Sequence, residues 1–293
     1  MLEKNDITIG DVRRYRSLAV APIYARRNFI DKDSFMERVI MLNDAMRKTG
    51  TFSIRGVSVN QLLVKNDLEN KVLIVGGMTL EGAGLQKRYS KFPFLIRPHS
   101  HVYLPVNCAE EKEPHTGGHY GMNTTIVMPS LRAGDVEQHD AWRDIMNTTT
   151  FLGRMNPTRS YCYADRHANV EDYIEAIGAK PRDGQVGIVA GIKDGERTIF
   201  YTDFFGHHAL LEDVYSKLAK SFGIVARVHE GDAEDIGKDN LVSFLRNMET
   251  MRGGKRNDYE GEGDLYLIQN PVVGTALAYE NDPVQVTMRQ KVE

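Results

Sequence analysis

The chain has 293 residues, 41% hydrophobic and 26% charged, with 37 basic against 40 acidic residues and a formal charge of −3. These values exclude disordered, collagenous and membrane-spanning classes, and they supply no general attraction to nucleic acid or anionic lipid. A chain of this length buries roughly three quarters of its unfolded surface without staples, and two cysteines, Cys108 and Cys162, are too few for a disulfide framework. With no apolar signal core in the first residues, a reducing cytoplasm is the expected location.

The first element is the apolar run 18–24, in which Pro22 cannot donate to a ladder and so predicts an edge strand. Ser34 and Glu37 form a capping box, and Phe35, Met36, Val39, Ile40 and Met46 share a helical face until Gly50 offers a stop. From 51 to 130 the pattern turns to short β runs at 62–64, 72–75, 92–96, 102–106 and 124–128. The turn signals between them predict antiparallel strands of a sandwich or barrel rather than parallel crossovers. A helix beginning near Asp135 would bury Val136, Trp142, Ile145 and Met146, with Trp142 as a core anchor. The polar stretch 153–169 reads as a linker or site loop, and a short helix follows at 170–177.

Asp194-Gly195 between the runs 186–192 and 198–201 is a hairpin signal. Leu210, Leu211, Val214, Leu218 and Phe222 form a helical stripe stopped by Gly223, and a second helix is expected at 239–251. Residues 253–258 read as a flexible connection before closing strands at 265–268, 275–279 and 284–288. In the last, Val284, Val286 and Met288 alternate with Gln285, Thr287 and Arg289, which predicts one solvated face. Strand groups at both ends can join one sheet system. The expected fold is therefore α+β, an antiparallel β-rich sandwich or barrel-like core with covering helices, in a single elaborated domain over 1–293 with an internal division, if any, near 153–180.

Several blocks carry a family resemblance: Ser58-Val59-Asn60-Gln61-Leu62-Leu63-Val64-Lys65-Asn66, Val72-Leu73-Ile74-Val75-Gly76-Gly77, Glu81-Gly82-Ala83, Gln86-Lys87-Arg88 and Leu104-Pro105-Val106-Asn107-Cys108-Ala109-Glu110. Together with Asp203-Phe204-Phe205 and Gly274-Thr275-Ala276-Leu277, the chain resembles the ADP-ribosylglycohydrolase and rhodanese-phosphatase-associated protein domain family, whose function is unknown. It departs from the family pattern in an extra residue at Gly84-Leu85 and in Glu111-Lys112-Glu113-Pro114-His115 after the Cys-x-Glu element. The resemblance implies proximity to ADP-ribose and NAD-related chemistry and to biological-conflict systems, but no mechanism.

The foremost candidate ligand loop is the glycine-rich stretch 76–88. Gly82 and Gly84 would let backbone amides approach an anion, Lys87 and Arg88 would neutralise phosphate with Gln86 beside them, and Glu81 would accept a ribose hydroxyl. A bulged hairpin explains the same glycines without a ligand. Cys108 with Glu110 two residues on is a candidate nucleophile and partner on one strand face, against the alternative of a small buried cysteine. Cys162, Asp165 and His167 have triad residue types in one loop. His99-x-His101 on an extended segment would present two imidazoles to a metal, with Glu110, His115 and His119 downstream. The expected function is binding of a small phosphorylated ligand, nucleotide or ADP-ribose-like. The alternatives are a protein-interaction module or counter-defence inhibitor acting as a homo-oligomer through segments 109–123 and 153–169, and a metal-dependent enzyme using His99 and His101.

Overall fold

The computed structural model describes residues 6–27, 29–30, 35–48, 50–111, 118–121, 125–154, 157–250 and 252–291. β1 (Ile7–Ile9), β2 (Arg13–Tyr15), β3 (Leu18–Ala25) and β4 (Val39–Met41) precede α1 (Leu42–Arg47). Eight strands follow: β5 (Phe52–Gly56), β6 (Gln61–Asn66), β7 (Lys71–Ile74), β8 (Thr79–Leu80), β9 (Arg88–Ser90), β10 (Phe94–Ile96), β11 (Ser100–Cys108) and β12 (His119–Tyr120). The helical middle is α2 (Pro129–Arg132), α3 (Gln138–Phe151), α4 (Tyr161–Arg166) and α5 (Glu171–Ile177), and the hairpin β13 (Gln185–Asp194) and β14 (Arg197–Phe205) comes next. The chain finishes with α6 (His208–Glu212), α7 (Tyr215–Val228), α8 (Lys238–Leu245), α9 (Asn247–Thr250), β15 (Arg252–Lys255), β16 (Asp264–Asn270), β17 (Val272–Tyr279) and β18 (Asp282–Gln290).

The fold is α+β, with mostly antiparallel sheets and a barrel-like core. A nine-stranded sheet runs β1-β3-β13-β14-β18-β17-β16-β15, with β2 also on β3, so strand groups from both ends of the chain share it. A six-stranded sheet runs β12-β5-β6-β11-β9-β8, and a three-stranded one β10-β7-β4. The large sheet is apolar on both faces. One face joins a cluster with Leu18, Ile188 and the α7 residues Leu218 and Phe222. The other packs Ala19, Val189, Val286 and Met288 against Leu241 and Phe244 of α8.

That two-sided cover overturns two expectations. β3 is interior rather than an edge strand, with β13 on one side and β1 and β2 on the other. Pro22 is tolerated because it falls at the gap between β1 and β2, where Gly10 donates its N–H to the Pro22 carbonyl at 2.9 Å and no donor from Pro22 is needed. β18 has no solvated face either: Gln285 and Thr287 are 0% and 1% exposed.

The helix expected at 35–46 is largely replaced by β4, which pairs parallel with β7, and by the short α1. The β-branched Val39 and Ile40 suit that strand better than a helix. Ser34 of the capping box lies outside the described residues. Gly223 does not stop a helix; it lies inside α7, where a Cβ would approach the Cβ atoms of Tyr173 and Val170 at 3.2 and 3.3 Å. Residues 252–255 form β15 instead of a loose connection, and the stretch 153–169 contains α4, whose Tyr161, Cys162 and Ala164 are buried.

Candidate functional site

The glycine-rich stretch is the loop of a β8–β9 hairpin, with Thr79 opposite Tyr89 and Leu80 opposite Arg88. Gly84 has φ +71, and a Cβ on Gly82 would meet the His119 carbonyl at 2.5 Å, so both glycines serve the local backbone. Lys87 precedes β9 and Arg88 opens it, and their side chains have different surroundings. Lys87 projects outward, its Nζ 3.3 Å from Ser160 Oγ, 3.7 Å from Glu110 Oε2 and 3.9 Å from Glu81 Oε2. Arg166 holds both Glu81 oxygens at 3.0 and 2.8 Å. Glu110 accepts the Lys87 N–H at 2.9 Å and the Thr158 hydroxyl at 3.1 Å, and Gln86 donates to the Glu110 carbonyl at 2.9 Å. Glu81, Glu110, Lys87 and Arg166 thus converge in a charge-balanced network, and a phosphate reaching Lys87 would have to compete with two carboxylates.

Arg88 turns inward, is 1% exposed and donates to Cys108 Sγ. β11 ends at Cys108, so Glu110 lies beyond the strand. Burial pushes the Cys108 thiol up, against the effect of Arg88, so the nucleophilic thiolate is disfavoured. Burial likewise raises Cys162. Its expected triad partners are engaged elsewhere: Asp165 accepts from Thr125 at 2.7 Å and faces Lys220 at 3.1 Å, while the His167 ring packs on Tyr163.

His99 occupies a turn with φ 48 rather than an extended segment, and its Nε2 lies 3.2 Å from Glu69. His101 is the second residue of β11, opposite Lys65, and His115 falls outside the described residues. Among the described residues no group of three or more His, Cys, Asp or Glu side chains is placed to hold a metal ion. Of the segments expected to recognise a protein partner, residues 112–117, 122–124 and 155–156 are likewise outside the described set.

A separate cleft of about 360 Å³ opens between α3, the end of α7 and strands β14 and β18. Its floor follows from strand register: Tyr201 and Arg289 are direct partners on β14 and β18, so their side chains share a face. Asp144, Asn147, Thr148 and Phe151 line it from α3 at helical spacing, and His229 closes it from beyond α7, its Nδ1 3.2 Å from Asp194. The Arg289 Nε is buried and has no hydrogen-bond partner among the described residues. Burial raises the Asp144 carboxyl, opposed by Arg289, Arg143 and the Ser130 hydroxyl, and burial pushes Tyr201 up to about 12. Phe151 is 72% exposed and also lines an adjoining open depression with Arg16, Tyr173 and Arg227.

Beneath this cleft lies an ion pair that no sequence motif announced. Arg132 and Asp203 have fully buried side chains 2.6 Å apart. Asp203 accepts the Thr287 hydroxyl at 2.6 Å, and Arg132 also donates to the Val127 carbonyl. Gln285 accepts the Gly76 N–H at 3.1 Å, so Gln285 and Thr287 are both engaged inside the protein. No spacing rule pairs residues 71 positions apart.

Fold and clefts together define an α+β, antiparallel-β-rich class of protein with an internally paired acidic and basic network and separate polar clefts. The chain belongs to the ARG and Rhodanese-Phosphatase-superfamily-associated Protein domain family, whose sequence model matches residues 6–289. No curated protein and no solved structure matches it. Among the described residues no helix is long and apolar enough to cross a membrane.

Proposed function

We propose that the protein binds a small phosphorylated ligand, nucleotide or ADP-ribose-like, with its anionic group on Arg289 in the cleft beneath α3. The observation that carries this reading is the buried Arg289 Nε without a hydrogen-bond partner among the described residues, at a concave surface large enough for a ligand. The half-buried guanidinium lines the cleft and carries a fixed positive charge to which an anion there can pair. Asn147 adds a side-chain amide donor, and the exposed Phe151 ring at the rim offers a surface on which a base can stack. Both cations face carboxylates, Arg289 beside Asp144 and Lys87 flanked by Glu81 and Glu110, but Lys87 is held within ion-pair distance of its two. The family's association with ADP-ribose chemistry is consistent with this ligand class.

Calorimetry with ADP-ribose, NAD and cyclic nucleotides tests it. Binding is expected for at least one of them, weakened roughly 10- to 100-fold by Arg289→Ala, the loss of charge-assisted hydrogen bonds. Lys87→Ala is expected to leave affinity within about twofold, since that change is under half a kilocalorie per mole. No heat at millimolar ligand with folded protein sinks the proposal.

A further inference from the structure

A second concave site lies far from Arg289 in chemistry as well as in lining residues. Its floor is the outward face of the six-stranded sheet. Along β6 and β11 the inward positions are Leu62, Val64, Val102 and Leu104, all buried, so Gln61, Tyr103, Pro105 and Asn107 face outward by alternation. The segment between β15 and β16 forms one wall: Glu260 accepts the Tyr103 N–H at 2.8 Å, and the Tyr259 ring packs on Phe94 with centroids 4.7 Å apart. The start of α3, with Glu137 and Gln138, forms the other. The enclosed cleft is about 270 Å³, just below the roughly 300 Å³ at which ligand pockets typically begin, which suits a single ring.

The charges here argue against an anion. Lys91 and Arg256 both pair with Asp135, and Arg256 also binds Asp258 at 2.7 and 3.0 Å. Those four groups cancel, and among the described residues Glu137 and Glu260 remain without a paired cation. The polar groups left over are mixed. Asn107 donates its amide to Tyr89 and to the Val136 carbonyl, leaving its carbonyl oxygen as an acceptor. Asn60 uses its carbonyl oxygen to accept from Ser58, leaving its amide as a donor. Gln61 supplies both functions at the exposed end of β6. A hydroxyl group is both donor and acceptor, so a ring bearing several hydroxyls can match this alternation, whereas a purely accepting or purely donating ligand cannot. The 42% exposed Tyr103 offers an aromatic face, negative at the ring centre, to the slightly positive C–H edges of such a ring.

We propose that this cleft binds a neutral polyhydroxylated ring, a sugar or cyclitol. The probes are methyl glucoside, methyl galactoside, methyl riboside and inositol, with adenosine as a separate arm for a nucleoside-borne ribose and glucose 6-phosphate as the anionic counterpart. Saturation-transfer-difference NMR on the full chain is expected to show transfer to at least one neutral ring at millimolar concentration, and the phosphorylated sugar is expected to bind roughly tenfold more weakly than neutral glucoside. Gln61→Ala and Tyr103→Ala, at exposed positions, are each expected to weaken binding about fivefold, a change of about 1 kcal/mol. Arg289→Ala is expected to leave it unchanged, which separates this site from the phosphate cleft. Transfer to adenosine but not to the methyl glycosides assigns the ring to a nucleoside. The proposal is overturned if no neutral probe receives saturation from folded protein, if the phosphorylated sugar binds as well as the neutral one, or if neither substitution weakens binding of the neutral ring.

Discussion

Asp144 illustrates how one side chain can link stability to ligand binding. Burial raises its pKa, so the folded state holds the proton more tightly than the unfolded chain, whose value stays near the ordinary 3.8. Ionisation therefore costs stability at pH values above the raised pKa, and that cost disappears as pH falls through the window down to 3.8. Asp144→Asn is expected to raise the urea midpoint at pH 7, with the advantage shrinking as pH drops through that window. A midpoint difference independent of pH would contradict the assignment. Protonation also removes a negative charge beside Arg289, so anion affinity measured by calorimetry is expected to rise as pH falls through the same range. The Arg132–Asp203 pair makes a sharper case. Arg132→Met alone leaves Asp203 buried and uncompensated, a loss of about 3–5 kcal/mol by urea denaturation, whereas Arg132→Met with Asp203→Leu is expected to recover most of it. Neither residue could be chosen from the sequence, because a buried ion pair between α2 and β14 has no spacing signature. Glu81, Glu110 and Lys87 were legible as polar candidates within a recognisable block, yet their mutual pairing depends on how β9, the end of β11 and α4 meet.

At the scale of elements, composition foretold strands better than their neighbours. The Asp194-Gly195 hairpin forms with Asp194 opposite Arg197, and the three closing strands appear where their apolar runs lie. These are local signals, so a single sequence carries them. Gly223 is the counterexample. A glycine ordinarily weakens a helix, but here α7 continues through it because the missing side chain admits α5, with Tyr173 and Val170 in close approach. Gly223→Leu is therefore expected to lower stability by about 1–3 kcal/mol through overpacking despite leucine's better helix propensity. Guanidinium denaturation checks it, and a stabilised variant would mean that α5 is free to move away. β4 shows the same dependence on partners: the apolar residues Val39 and Ile40 fit a helical stripe, but β7 offers a free edge and they fill it.

For the whole molecule, the segment 256–262 ties the nine-stranded sheet to the smaller sheets. Tyr259 accepts the Leu95 N–H through its hydroxyl at 3.1 Å, the Glu262 N–H donates to the Leu95 carbonyl at 2.7 Å, and Lys71 bridges Glu262 and Tyr279 at 2.9 and 2.7 Å. Tyr259→Phe is expected to cost about 1 kcal/mol and to speed hydrogen exchange at the Leu95 amide. An unchanged exchange rate there would show that the sheets hold together without this tie.

Length, hydropathy and turn chemistry alone determined that this is an α+β chain rich in antiparallel strands, and the blocks around 58–110 pointed to its family, because strand alternation, hairpin turns and motif spacing act over a few residues. Which faces are buried, where Pro22 is harmless, why Lys87 and Arg88 part company, and that Arg88 and Arg289 each keep a buried Nε without a partner among the described residues were decided only by tertiary structure. Those outcomes depend on residues brought together from distant parts of the chain, and both burial and charge pairing take their sign from such neighbours.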